Sequence, residues 1–198
     1  MADDNLISPN EAEIEFLNLA YNKFYDIYDD VFTDEFWDKD EFYRFSKVKM
    51  VFSIYAEIIN YEPLRWTIKL IKDNRPPMEA EIASDLFKFI RNILAHFPFF
   101  DTWNSVWINS LLVNWYKKGL TIDKFLIKYE GHKEIKYRYW EEKRKLMTNI
   151  TISFPKKYSG GAQVYLKDIL TEKEGVKFAL ILMKKVLNTQ VEEVTERN

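Results

Sequence analysis

Apolar side chains recur every three or four residues along most of this chain. That spacing places them on one side of an α-helix, and it therefore predicts a mostly helical protein. The first predicted helix has Ser8 as its N-cap, Pro9 at its first position and Glu11 closing a capping box, and it ends near Tyr28. The second predicted helix runs from about Glu41 to Asn60.

Four further helices follow the same pattern, and proline or glycine marks most of the breaks between them. Their predicted ranges are about Pro63 to Lys72, Met78 to His96, Thr102 to Lys118, and Thr171 to Leu187. The last of them begins with a second capping box, in which Glu174 follows Thr171 by three residues. Long helices joined by short breaks favour an antiparallel bundle.

Residues 120–170 do not follow the helical pattern throughout. Glu134–Tyr139 alternates like a strand and Asn149–Phe154 is rich in β-branched residues, whereas Trp140–Met147 fits a charged helix equally well. The predicted fold is therefore all-α, an antiparallel helical bundle with a small irregular or β-containing appendage. Three units are expected: a helical bundle over 8–119, a basic mixed appendage over 120–170, and a C-terminal helix over 171–188 that packs on the bundle.

Composition narrows the class of protein. The chain has 198 residues, of which 47% are hydrophobic, enough to bury one sizeable core. It has no cysteine, which excludes a disulfide framework, a thiolate nucleophile and cysteine-ligated metal sites. The longest uninterrupted apolar stretch, Phe178–Met183, is far too short to cross a membrane, and Met1–Asn10 lacks the pattern of a signal peptide. We therefore expect a cytoplasmic protein without a membrane partner.

Charge is distributed unevenly although the formal net charge is only -2. Residues 1–41 carry 13 acidic and 2 basic side chains, whereas residues 117–157 carry 12 basic and 5 acidic ones. The basic segment has the sign of charge that nucleic acid attracts, and the two segments also fit pairing with each other inside a dimer. This distribution permits RNA binding without requiring it.

The polar side of the fourth predicted helix carries the strongest candidate chemistry. Arg91, Asn92 and His96 lie there within one and a half turns, and Lys88 lies one turn before Asn92. Because Pro98 stops the helix, His96 falls in the last turn, where the helix dipole favours a protonated imidazole. A protonated acid beside a permanent cation suits phosphate chemistry.

Arg91, Asn92, three further residues and His96 resemble the signature of the HEPN superfamily of small helical RNA-cutting proteins, over six of the 198 residues. The resemblance implies a metal-independent endoribonuclease without a cofactor, in which His96 moves protons and Arg91 stabilises negative charge on the phosphate oxygens. Asn92 would orient the imidazole or contact phosphate. The resemblance also implies a homodimer whose two motifs share one cleft and supply both an acid and a base. The implied setting is a toxin or phage-defence nuclease, with RNA and an antitoxin protein as partners.

Other interpretations of the same residues stay open. The polar side of the fourth helix also fits a surface that merely faces water, and the chain would then be a non-catalytic helical module that binds a protein or a nucleotide. Lys88, Lys143, Arg144 and Lys145 are candidate RNA-binding residues, although a solvated face is the commoner role of such side chains. Two isolated histidines without acidic ligands at a recognised spacing predict no metal site.

Overall fold

The computed structural model describes residues 10–61, 81–116 and 119–195, with side chains through residue 188. The predicted cap at Ser8 and Pro9, the predicted helix from Pro63 to Lys72 and the predicted start of the fourth helix at Met78 lie outside the described residues. Within the described ranges the helices and strands are α1 (Glu11–Val31), α2 (Asp34–Trp37), α3 (Glu41–Asn60), α4 (Glu81–His96), β1 (Trp107–Ile108), α5 (Ser110–Trp115), α6 (Leu120–Lys128), β2 (Glu134–Glu141), β3 (Leu146–Ser153), β4 (Val164–Tyr165), α7 (Leu166–Ile169) and α8 (Glu172–Thr195).

Helices dominate the described residues, and the strands form two small antiparallel sheets. One sheet pairs β1 with β4, and the other pairs β2 with β3. The prediction of a mostly helical fold with a β-containing appendage is therefore confirmed. Among the described residues, no helix is both long and apolar enough to cross a membrane.

Helix α1 begins at a capping box, but two residues later than predicted. The N-cap is Asn10, whose carboxamide oxygen accepts a hydrogen bond from the Glu13 N–H at 3.0 Å, and the Glu13 carboxylate accepts one from the Asn10 N–H at 2.7 Å. The predicted end near Tyr28 is also early, because the apolar side continues to the buried Val31. Helix α3 has the predicted bounds, and Asp40 caps it.

The predicted helix from Thr102 to Lys118 is wrong. The chain instead forms a 3-10 helix over Trp103–Ser105, then strand β1 and the short helix α5. The side chains of Thr102 and Asn109 cap these two helices and so interrupt a continuous helix between them. Contacts with residues far along the chain favour this course, since β1 pairs with β4 and the Trp103 indole N–H donates to the Leu170 carbonyl at 3.1 Å.

Residues 134–153 form a β-hairpin. Of the two alternatives for Trp140–Met147, the structure therefore has the hairpin and not the charged helix. Every residue of β2 is paired with one of β3, from Glu134 opposite Ser153 to Glu141 opposite Leu146. The inner face of the hairpin packs on α8, where the rings of Tyr137 and Tyr139 contact Phe178 edge-on at 5.7 and 5.9 Å. The hairpin is thereby fixed to the helical core.

Helix α8 links the later part of the chain to the earlier helices. It packs against α4 and β3, and its Glu172 carboxylate accepts from both Nε and Nη2 of Arg44 on α3, at 3.3 and 2.9 Å. The Thr171 hydroxyl oxygen accepts from the Glu174 N–H at 3.3 Å, which is one of the two hydrogen bonds of the predicted capping box, and the Glu174 carboxylate accepts from the Thr171 hydroxyl at 2.8 Å. The helix continues to Thr195, beyond its predicted end at Leu187.

Candidate functional site

Helix α4 carries Arg91, Asn92 and His96 and packs its apolar side against α3, α6 and α8. The rings of Phe89 on α4 and Phe125 on α6 stack at 4.5 Å, so α6 fixes the middle of α4. Buried side chains before and within the motif therefore hold its backbone in place. These side chains are Ala83, Leu86, Phe89, Ile90, Ile93 and Leu94.

Arg91 is bound to its neighbour Asn92. The guanidinium donates from Nε and from Nη2 to the carboxamide oxygen of Asn92, at 3.2 and 3.1 Å. Asn92 is only 4% exposed, whereas Arg91 is half-buried. A buried amide oxygen needs a donor, so Asn92 selects one rotamer of Arg91 and holds its planar cation at the surface of the helix.

His96 is the last residue of α4, as predicted, and it is half-buried. The Phe97 N–H closes the last helical turn on the Ile93 carbonyl at 3.0 Å, and Pro98 follows. The imidazole lies beside the ring of Tyr116, with 6.2 Å between centroids. The imidazole therefore sits at the negative end of the helix and against a phenol ring.

The polar side of α4 does not simply face water, because α6 covers part of it. Lys128 on α6 pairs with both Asp85, at 2.6 Å, and Glu81, and the Tyr129 hydroxyl donates to Asp85 at 3.2 Å. These carboxylates raise the pKa of Lys128, so its ammonium stays charged. Lys88 remains exposed between these partners and the motif.

Three of the predicted RNA-binding residues lie at the tip of the β2–β3 hairpin, while Lys88 lies on α4. Lys143 pairs with Asp29 on α1, and Arg144 Nη1 lies 3.7 Å from the buried Glu141 carboxylate on β2. Lys145 is exposed and has φ 49°, as the tight turn requires. The tip is therefore partly neutralised within the chain, and the prediction that it binds RNA stays a prediction.

Two features near these residues were not found from the sequence. Tyr116 follows α5, and its ring lies near those of His96 and Phe97 at the end of α4, at 6.2 and 5.6 Å between centroids. Its spacing from His96 in the sequence gives no signal of this contact. Glu141 and Lys177 form a buried ion pair at 3.4 Å between the hairpin and α8. Because side chains alternate along β2, Glu141 falls on the inner face of the strand. This alternation is visible in the sequence and indicates a buried carboxylate that needs a partner.

Within the described parts of the chain, no three histidine or acidic side chains lie close enough together to hold a metal ion. Comparison of the chain with protein-family models, with curated proteins and with solved structures found no match. The assignment of a function therefore depends on the chemistry of α4 and of the surfaces around it.

Proposed function

We propose that this chain is a metal-independent endoribonuclease of the HEPN type, built as an antiparallel helical bundle and acting in the cytoplasm. The observation that carries the proposal is the fixed guanidinium of Arg91 on the same helix as His96, with both side chains half-buried. A solvated arginine needs no buried acceptor beneath it, whereas a cation that stabilises a transition state gains from being held in place before substrate binds.

The proposed reaction needs one proton acceptor and one proton donor. His96 of one subunit takes the proton from a 2′-hydroxyl while that oxygen attacks phosphorus, and the partner's His96 gives a proton to the leaving 5′-oxygen. Arg91 stabilises the negative charge that builds on the non-bridging oxygens. The products are a 2′,3′-cyclic phosphate and a 5′-hydroxyl, and the two imidazoles have exchanged protonation states.

The position of Asn92 gives it a different role from the one that the resemblance implies. Its carboxamide oxygen is occupied by Arg91 and the side chain is buried, so Asn92 is a positioning residue for Arg91. We assign no phosphate contact to it.

An apolar surface beside the motif supports the proposed homodimer. Leu111 and Trp115 are 72% and 78% exposed, and they lie four residues apart on one side of α5. Tyr116, which contacts the His96 ring, comes directly after them. Large exposed apolar side chains are typical of interfaces, and a second subunit on this surface would lie next to His96.

The test is cleavage of total cellular RNA in excess EDTA by wild-type protein and by Arg91→Ala and His96→Ala. We expect the wild type to leave 2′,3′-cyclic phosphate ends, and each variant to stay folded and to lose at least about 100-fold in rate. Matched controls are His132→Ala, which removes the other histidine, and Lys124→Ala, which removes an exposed cation on α6. Both controls should cut like the wild type.

A wild type that cuts no RNA, or a His96→Ala variant that cuts as fast as wild type, would remove the nuclease proposal. A non-catalytic module that binds a protein or a nucleotide then takes its place. If the nuclease is active, its expected setting is a toxin or a phage-defence effector that an antitoxin protein restrains.

A further inference from the structure

We infer that the outer face of the β2–β3 hairpin binds single-stranded RNA, with Trp140 as a stacking platform and Lys136 and Arg138 as phosphate contacts. The inference rests on the proposed function only in its choice of RNA as the ligand. It identifies a binding surface on the hairpin rather than on the motif helix, within the basic, aromatic run Lys133–Lys145 of the sequence.

The alternation of β2 places these three side chains on one face. Lys136, Arg138 and Trp140 are all exposed, whereas Tyr139 and Glu141 between and after them are buried. Residues two apart on a strand are about 7 Å apart, so the three side chains form a straight row along the ribbon. Two cations followed by a ring can contact the phosphates of an extended strand and stack one of its bases.

Strand β3 extends the row sideways with uncharged side chains. The residues opposite Arg138 and Trp140 are Asn149 and Met147, and both are exposed. Directly opposed residues of an antiparallel pair share a face, so the carboxamide and the thioether lie beside the guanidinium and the indole. The outer face therefore combines positive charge, a hydrogen-bonding amide and an apolar ring surface.

The charges on the inner face do not cancel those on the outer face. Glu141 is 1% exposed and pairs with Lys177 of α8, at 3.4 Å, so its carboxylate is neutralised inside the protein. On the outer face Glu134 lies 3.6 Å from Lys136, but both side chains are well exposed and such a pair is worth little. A phosphate therefore displaces Glu134 from Lys136 at small cost.

A shallow hollow next to Trp140 continues this surface towards α8. Its walls include Trp140, Tyr28, Lys184 and Lys185. The Glu142 carboxylate also lines the hollow, but Lys184 neutralises it at 3.4 Å, and the Lys184 ammonium lies over the Tyr28 ring at 4.9 Å. The hollow therefore adds an aromatic ring and lysine side chains beside the indole, and the Glu142 carboxylate in it is already paired.

The exposed indole favours a single strand over a duplex. Trp140 is 48% exposed at the end of the ribbon, and a ring in that position is useful to a ligand that offers the face of an unstacked base. Bases in a duplex are already stacked on each other. We therefore assign the surface to single-stranded RNA and treat duplex DNA as a competitor in the test.

The experiment measures fluorescence anisotropy of a labelled oligouridine with full-length His96→Ala protein, so that cleavage cannot consume the probe. Trp140→Ala in this background should weaken binding by about tenfold or more, whereas Trp140→Phe should retain most of it. The double change Lys136→Ala with Arg138→Ala should weaken binding and reduce the slope of log affinity against log salt by about 1.4. The matched control is Lys124→Ala with Lys167→Ala, which removes the same charge from α6 and α7.

Several outcomes would overturn the inference. The first is wild-type affinity of Trp140→Ala and of the Lys136 and Arg138 variant for oligouridine. The second is a loss of affinity in the Lys124 and Lys167 control equal to that in the Lys136 and Arg138 variant. The others are a wild type that does not bind oligouridine, and one that binds duplex DNA more tightly than oligouridine. Circular dichroism of each variant verifies folding, and Trp140→Phe provides a reading if Trp140→Ala does not fold. Because no step depends on turnover, a wild type that cuts no RNA but binds oligouridine here would remove the proposed nuclease and leave this surface standing.

Discussion

Two hydrogen bonds from one guanidinium to one buried carboxamide tie Arg91 to the helix that carries it. An arginine on a helix surface ordinarily samples many rotamers, and fixing it costs conformational entropy. The protein meets that cost on folding, before any ligand arrives, because Asn92 is buried and its oxygen needs a donor. The fixed cation is available to a phosphate without further ordering.

Asn92→Ala tests this role at the residue scale. Removing the acceptor should destabilise the protein by about 1–3 kcal/mol, and it should lower kcat more than it raises KM because Arg91 loses its orientation. Asn92→Asp keeps an acceptor for the guanidinium and should recover part of the rate. Thermal unfolding and steady-state cleavage provide the two readouts.

The matched control for Asn92→Ala is Ser84→Ala, which changes a half-buried polar side chain earlier on α4. It should leave kcat unchanged. If Asn92→Ala cuts RNA with the wild-type kcat, Asn92 does not position Arg91 for catalysis.

At the scale of elements, local sequence was enough where local contacts decide the structure. Helix α3 has its predicted bounds because local sequence determines them. Its apolar residues recur at helical spacing, and the Asp40 side chain directly before it caps the first turn. The segment after Pro98 was mispredicted, although its tryptophans have helical spacing. Its course is decided by β4 and by the Leu170 carbonyl, more than fifty residues away, and no local window contains that information.

The same distinction applies to the candidate site. The residue types and spacing of Arg91, Asn92 and His96 are visible in the sequence, and so is the end of the helix at His96. The burial of Asn92 and the approach of Tyr116 are not visible, because other elements that pack on α4 produce them.

Gly175 lies in the first turns of α8. Whether Gly175→Ala raises or lowers the stability of the protein shows whether side-chain packing or helix propensity dominates at this position. Helix propensity alone predicts that Gly175→Ala stabilises the protein by about 1 kcal/mol. A β-carbon there would lie 2.7 Å from Leu170 Cδ1 and 2.8 Å from Trp103 Cη2, so we expect destabilisation by about 1–3 kcal/mol instead. The free energy of unfolding in urea measures the difference.

Lys173→Ala, on the same turn but exposed, is the control for Gly175→Ala and should change stability little. An increase in stability for Gly175→Ala would show that Trp103 and Leu170 yield easily at this point.

At the scale of the whole molecule, the acidic early segment and the basic later segment meet within one chain. Lys143 of the basic segment pairs with Asp29 of α1, and beyond that segment Lys173 of α8 lies 3.9 Å from Asp34. The uneven charge distribution therefore does not by itself call for a partner. The exposed apolar side chains of α5 are the stronger support for the proposed dimer.

Replacing Leu111 and Trp115 together by glutamate should convert the proposed dimer to a monomer. Two charges on this surface would be desolvated and unpaired at an interface, and that cost exceeds what a small interface supplies. Sedimentation equilibrium at micromolar concentration measures the change, and cleavage should fall with the loss of the second histidine. Phe42→Glu, an exposed aromatic position on α3, is the control.

Identical sedimentation of the wild type and the Leu111 and Trp115 variant would show that α5 is not the dimer surface. A wild type that sediments as a monomer and still cuts RNA would remove the need for two motifs in one site.

The packing of α4 against α8 has a consequence for synthesis of the protein on the ribosome. Arg44 bonds Glu172, Tyr25 bonds Asn188, and the motif helix packs on a helix translated about ninety residues later. Contacts so distant in sequence make folding slow, and they form only after α8 has left the exit tunnel. A ribosome-bound chain that has exposed Arg91 and His96 but not yet α8 therefore lacks the packing that holds them. The proposed nuclease activity would then appear only after α8 has left the exit tunnel, later than the emergence of Arg91 and His96 themselves.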